Sequence, residues 1–114
     1  MLTINRAAVV VQPKQPFLDW LRGVDPTSHH LTLDELRADA TVYLLPECDS
    51  EAAWTEQLRA HYRDIFNEQL DGWFRDQTAW PTPATFELFT DWFDINSHTM
   101  VIDLARKALL HEDI

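Results

Sequence analysis

Leu2-Thr3-Ile4-Asn5-Arg6-Ala7-Ala8-Val9-Val10-Val11-Gln12-Pro13 governs how the rest of the chain is read. The run Val9-Val10-Val11 is rich in β-branched side chains, which suits a strand covered on both faces, and Pro13 ends it because proline cannot donate to a ladder. The strand needs neighbours and a covering layer, and the sequence offers both. Thr41 to Leu45 is a second β-branched and aromatic run, stopped by Pro46, and Thr99 to Leu104 is a third. In the third, Met100, Ile102 and Leu104 alternate with Thr99, Val101 and Asp103, the period of a strand with one face more buried than the other.

Helical signals lie between the strands. Pro16 stands at a first helical position, and Phe17, Trp20, Leu21 and Val24 follow at helical spacing, with Gly23 as a left-handed stop. Asp25-Pro26-Thr27-Ser28-His29-His30 is turn-rich and reads as a loop. Thr32 and Glu35 have capping-box spacing and start a short helix through Arg37. Asp49 or Ser50 caps a long helix whose inner stripe is Trp54, Leu58, Tyr62, Ile65, Phe66, Leu70 and Trp73. Thr82-Pro83 reads as N-cap and first residue of a further helix, ending near Trp92, with Phe86, Phe89 and Phe93 on one face.

The order is therefore β-α-α-β-α-α-β: an α+β fold in which a small three-stranded sheet packs against helices. Both connections are long enough for crossovers, so parallel pairing is compatible with the order. Residues 1–114 form one domain, with 105–114 a fraying helical tail, and Leu58, Ile65, Val10 and Val42 are expected in one core.

Composition narrows the function. With 114 residues, 46% of them hydrophobic and 25% charged, the chain has the balance of a globular protein. A net charge of -10 repels phosphate backbones, so nucleic acid is not an expected partner. Cys48 is the single cysteine, the N-terminus lacks a signal-peptide pattern, and no apolar run is long enough to span a bilayer. A cytoplasmic protein away from membranes is expected.

Three segments carry a family resemblance: Pro13-Lys14-Gln15-Pro16-Phe17-Leu18-Asp19-Trp20; Thr41-Val42-Tyr43-Leu44-Leu45-Pro46-Glu47; and Trp92-Phe93-Asp94 with His98-Thr99-Met100-Val101-Ile102-Asp103. Together they resemble a family of small, uncharacterised bacterial proteins with no assigned activity. The resemblance covers most of the chain and implies a bacterial single-domain protein, without a reaction, cofactor or site residue.

The chemistry-bearing residues form no recognisable catalytic pattern. Adjacent His29 and His30 lack a third metal ligand at diagnostic spacing. Cys48, between a strand and a helix, lacks a base fixed by spacing. His61, Asp64 and Glu68 share one helical sector without ligands from a second element, and Asp94 and His98 lie too far apart along a strand to form a dyad. Gly23 and Gly72 are the only glycines, so no phosphate-cradling loop exists. No catalytic residue, metal or cofactor is assigned.

What remains is aromatic and acidic. Trp73, Phe74, Trp80, Phe86, Phe89, Trp92 and Phe93 crowd one short stretch, and rings of this kind build both cores and interfaces. The expected function is non-enzymatic protein binding or regulation. Its candidate contacts are Trp80 and Trp92, their acidic neighbours Asp76 and Asp91, and a helix ridge of Asp64, Glu68 and Asp71. The sequence sets no oligomeric state. Two other readings stand beside this one: an inhibitor or immunity-like protein neutralising a basic enzyme, and an enzyme or small-ligand binder with an aromatic-lined pocket formed by Trp80, Trp92 and His98.

Overall fold

The computed structural model describes residues 2–114. Strand β1 (Leu2–Thr3) is followed by β2 (Arg6–Pro13), helix α1 (Gln15–Val24), a 3-10 turn (Pro26–His30) and α2 (Leu33–Arg37). Then come β3 (Thr41–Pro46), the long α3 (Glu51–Trp73), a second 3-10 turn (Gln77–Ala79), α4 (Phe86–Trp92), β4 (Phe93–His98) and β5 (Ile102–Asp103). The main sheet has the order β3-β2-β4 and is antiparallel throughout, so parallel pairing does not occur. The β-α-α-β-α-α-β order holds for its three strands, and the Val9-Val10-Val11 run occupies the central one.

Register divides the sheet into two unlike faces. On the inner face Val9 stands between Tyr43 and Ser97, Val11 between Thr41 and Ile95, and Pro13 beside Phe93. On the other face Val10 pairs with Val42 and Asn96, and Ala8 with Leu44 and His98. The inner row of β2 (Ala7, Val9, Val11) is fully buried, whereas Val42 is 56% exposed and Val10 only half-buried. Val10 and Val42 thus form a cross-strand pair on an open face, not part of the core with Leu58 and Ile65, because the helices gather on the opposite side.

Local signals set the helix ends. The Ser50 hydroxyl accepts the Ala53 N–H at 3.0 Å to open α3, and the Thr32 hydroxyl accepts the Glu35 N–H at 3.2 Å to open α2. Helix α4 begins later than the Thr82-Pro83 signal suggests: Thr85 caps it, its hydroxyl accepting the Leu88 N–H at 3.1 Å, while Thr82-Pro83 is a cis peptide in the preceding loop. Gly23 lies within α1 and adopts no left-handed conformation.

The core joins Val9, Val11 and Leu45 of the sheet to Phe17, Leu18 and Leu21 of α1, Leu58, Ile65, Phe66 and Leu70 of α3, and Phe89 and Phe93. Phe66 is its hub, with ring centroids 5.7 Å from Phe89, 5.5 Å from Phe93 and 5.7 Å from Trp92. Trp73, read from sequence as the last core position of α3, is 39% exposed, because the helix runs past the edge of the core there. Leu58→Ala or Ile65→Ala should destabilise by about 2–5 kcal/mol, and Val42→Ala on the open face by well under that, in a denaturant titration of each variant. Equal losses at Leu58 and Val42 would show that the two faces are not distinct.

The C-terminal part departs most from the sequence reading. The third strand of the main sheet is β4, directly after α4, while residues 99–104 contribute only β5, which pairs with β1. Thr3 pairs with Ile102 but Ala8 with His98, so five residues on the first side span four on the other and the register shifts by one between the two sheets. Beyond it the two-stranded ribbon is a separate small sheet, bordered by Ala105 and residues 107–110, which line an open groove with Ile4, Val101 and Ile102. The alternation expected of residues 99–104 survives only as a difference in exposure: Met100 is 72% and Leu104 74% exposed, while Val101 and Asp103 are half-buried. Residues 105–114 form no helix and are exposed.

Candidate functional site

The aromatic run is largely committed to structure. Trp92 is half-buried, with ring centroids 6.2 Å from Phe17 and 5.9 Å from Trp20. Trp80 is also half-buried, and its indole N–H donates to the Phe74 carbonyl at 2.8 Å, while the Trp20 indole N–H donates to the Ala79 carbonyl at 2.9 Å. These bonds strap the segment after α3 onto the core. The acidic neighbours are not held against either indole by a hydrogen bond. Asp76 accepts from the backbone N–H and hydroxyl of Thr78 at 3.0 and 2.6 Å, which caps the 3-10 turn and lowers its carboxyl pKa, and Asp91 is exposed on α4. No aromatic pocket joining Trp80, Trp92 and His98 forms, since His98 lies exposed on the open sheet face while the tryptophans pack below the other.

The acidic ridge of α3 also divides. Asp64 and Asp71 are exposed, but Glu68 turns toward the sheet and accepts the Tyr43 hydroxyl at 2.5 Å. Buried Gln69 donates its amide to the same hydroxyl oxygen at 2.8 Å. Burial and the adjacent Glu68 carboxylate push the Tyr43 phenol well above its ordinary range, so it remains a neutral donor. This network fixes α3 against β3.

Between them runs a groove of about 290 Å³, lined by Tyr43, Leu44 and Leu45 of β3 and by His61, Asp64, Ile65 and Glu68 of α3. Its floor is apolar and its helical wall carries two carboxylates. β3 is an edge strand, so among the described residues one side of its backbone has no partner strand, and it carries exposed Val42 and Leu44 on its open face. Asp39 and Glu47 stand just beyond its two ends, both exposed. Sequence reasoning named Asp64 and Glu68 but not the strand edge, because β3 looks the same from sequence whether central or peripheral.

The other chemical candidates lie apart. Asp94 forms an ion pair with Arg37 at 2.7 Å, and Arg37 also donates to the Pro13 carbonyl at 2.9 Å. Its carboxylate therefore secures the end of α2 to the sheet. His61 Nδ1 lies 2.9 Å from the Gln57 carbonyl within its own helix. His29 and His30 are exposed in the first 3-10 turn. The Cys48 thiol donates to the Pro46 carbonyl at 3.2 Å. Among the described residues no group of three or more His, Cys, Asp or Glu side chains is placed to hold a metal ion, and no helix is long and apolar enough to cross a membrane.

Comparison with family models, curated proteins and solved structures finds no match to this chain.

Proposed function

We propose that this chain is a non-enzymatic, cytoplasmic protein-binding domain that takes an extended basic segment of its partner onto the free edge of β3. The observation that carries this reading is the groove beside that edge: unpaired strand backbone, apolar floor and the carboxylates of Asp64 and Glu68 on the facing wall. Strand addition supplies affinity through main-chain hydrogen bonds and specificity through alternate side chains. A segment of alternating apolar and basic residues fits both requirements. Its apolar residues would cover Leu44 and Val42, and its Lys or Arg side chains would face Asp64 and Glu68, with Asp71 farther along the helix. The charge of -10 steers such a partner toward the domain.

The exposed β3 edge favours partner binding over a free-standing monomer, since natural edge strands usually carry charges, prolines or bulges that discourage pairing. Thr41-Val42-Tyr43-Leu44-Leu45 carries none of these before Pro46. A basic enzyme would be one such partner, which keeps the inhibitor-like reading within the same surface chemistry. To test the proposal, the domain is used to capture its partner from its source cells, alongside an Asp64→Lys variant. The expected result is capture that weakens with rising salt and falls at least tenfold with Asp64→Lys, whereas a partner retained equally by both proteins would overturn it.

A further inference from the structure

The other flank of α3 carries the opposite charge. Arg59, Arg63 and Asn67 follow one another at single-turn spacing and face Pro83, Ala84, Thr85, Phe86 and Glu87 across an open groove of about 630 Å³. The Arg59 guanidinium carbon lies 4.3 Å from the Phe86 ring centroid, stacking the cation on the wall. Arg63 Nε–H donates to the Tyr62 hydroxyl oxygen at 3.3 Å, and that hydroxyl donates to the Ala84 carbonyl at 3.3 Å. Both guanidiniums are therefore oriented through neutral groups. The sequence has 19 acidic residues against nine Lys and Arg, yet among the described residues neither arginine enters an ion pair, whereas Arg37 pairs with Asp94.

We propose that this groove is a binding site for a phosphate monoester. Its donors are two guanidiniums, the Asn67 amide and the Thr85 hydroxyl, more than a single carboxylate with two oxygens can use. A phosphate monoester presents three terminal oxygens and up to two negative charges, matching two forked cations and two neutral donors. Tyr62, Phe86 and Pro83 give the ester's organic portion an apolar wall. Glu87 is the one acid of the lining and opposes the ligand, leaving two positive charges against one negative. The repulsion of more distant acids is screened beyond about 10 Å at 0.1 M salt, so the local arginines govern the site. The ester is either a small metabolite or a phosphorylated side chain; both present the same oxyanion.

The test is an amide NMR titration of the whole chain with phenyl phosphate and with a short phosphoserine peptide, using sodium chloride at matched ionic strength as control. Saturable shifts confined to residues 59–67 and 83–87 are expected. Arg63→Gln and Arg59→Gln should each weaken binding about tenfold or more, and Glu87→Gln should tighten it. Because Arg59, Arg63 and Glu87 are all exposed, the unliganded spectra report directly whether each variant is folded. Tighter binding of the peptide identifies a modified protein as the source of the ester, and tighter binding of phenyl phosphate a small molecule. Shifts reproduced by sodium chloride, or unaltered by the arginine substitutions in folded variants, would overturn the proposal.

Discussion

Phe66→Ala should lower folding stability by about 3–5 kcal/mol, the range for truncating a buried aromatic residue. Phe66 is completely buried on the inward side of α3 and packs against Phe89 and Trp92 of α4 and Phe93 of β4. Removing the ring opens a cavity where α3, α4 and β4 meet, so no single neighbour can move in without disturbing the others. Leu at the same position should recover part of the loss by refilling the space. Urea titrations of Phe66→Ala and Phe66→Leu would check this, and a loss below about 1 kcal/mol for the alanine variant would contradict a hub at this position.

Trp20→Ala should rival it, with a loss of about 3–5 kcal/mol, since its ring lies 5.4 Å from Phe17, 5.9 Å from Trp92 and 6.4 Å from Phe74. The side chain also holds the Ala79 carbonyl through its indole N–H. Trp20→Phe separates these roles: it preserves much of the packing but removes the bond, which should cost about 0.5–1.5 kcal/mol. Limited proteolysis should then cut the segment between α3 and α4 faster, with the rest of the domain still folded. Unchanged cleavage there in Trp20→Phe would show that the indole bond does not hold the strap.

Much of the architecture can be read from local chemistry. Thr32 and Ser50 cap helices because their hydroxyls reach backbone N–H groups three residues on, a relation visible in sequence spacing. The long helix is legible from Leu58, Ile65, Phe66 and Leu70, all buried as their spacing requires. Val9-Val10-Val11 is central in the sheet, but being central does not cover both faces, and Val10 looks onto an open surface. Covering depends on where α1 and α3 pack, which no strand sequence encodes.

The misreadings have related causes. Met100, Ile102 and Leu104 alternate as a strand of the main sheet would, but the β1–β5 ribbon lies outside that sheet and away from the core, and all three are exposed. β4 is less apolar and easily overlooked, although Phe93, Ile95 and Ser97 share the inner face and Asp94, Asn96 and His98 the outer one. Thr82-Pro83 resembles a helix start because Thr and Pro favour those positions, yet the cap three residues later is the one that Leu88 uses. At the site, Asp64 and Glu68 were legible as polar positions of α3. Their difference in environment was not, because it depends on Tyr43 reaching across from β3.

The proposed function stands on the free edge of β3, and hydrogen-exchange footprinting of the domain with its captured partner tests that directly. Slowed exchange across Thr41–Pro46 and along the Asp64–Glu68 side of α3, with no change from Asp76 to Trp80, is the predicted result. Protection confined to the segment around Trp80 and Asp91, with β3 exchanging as in the free domain, would contradict it.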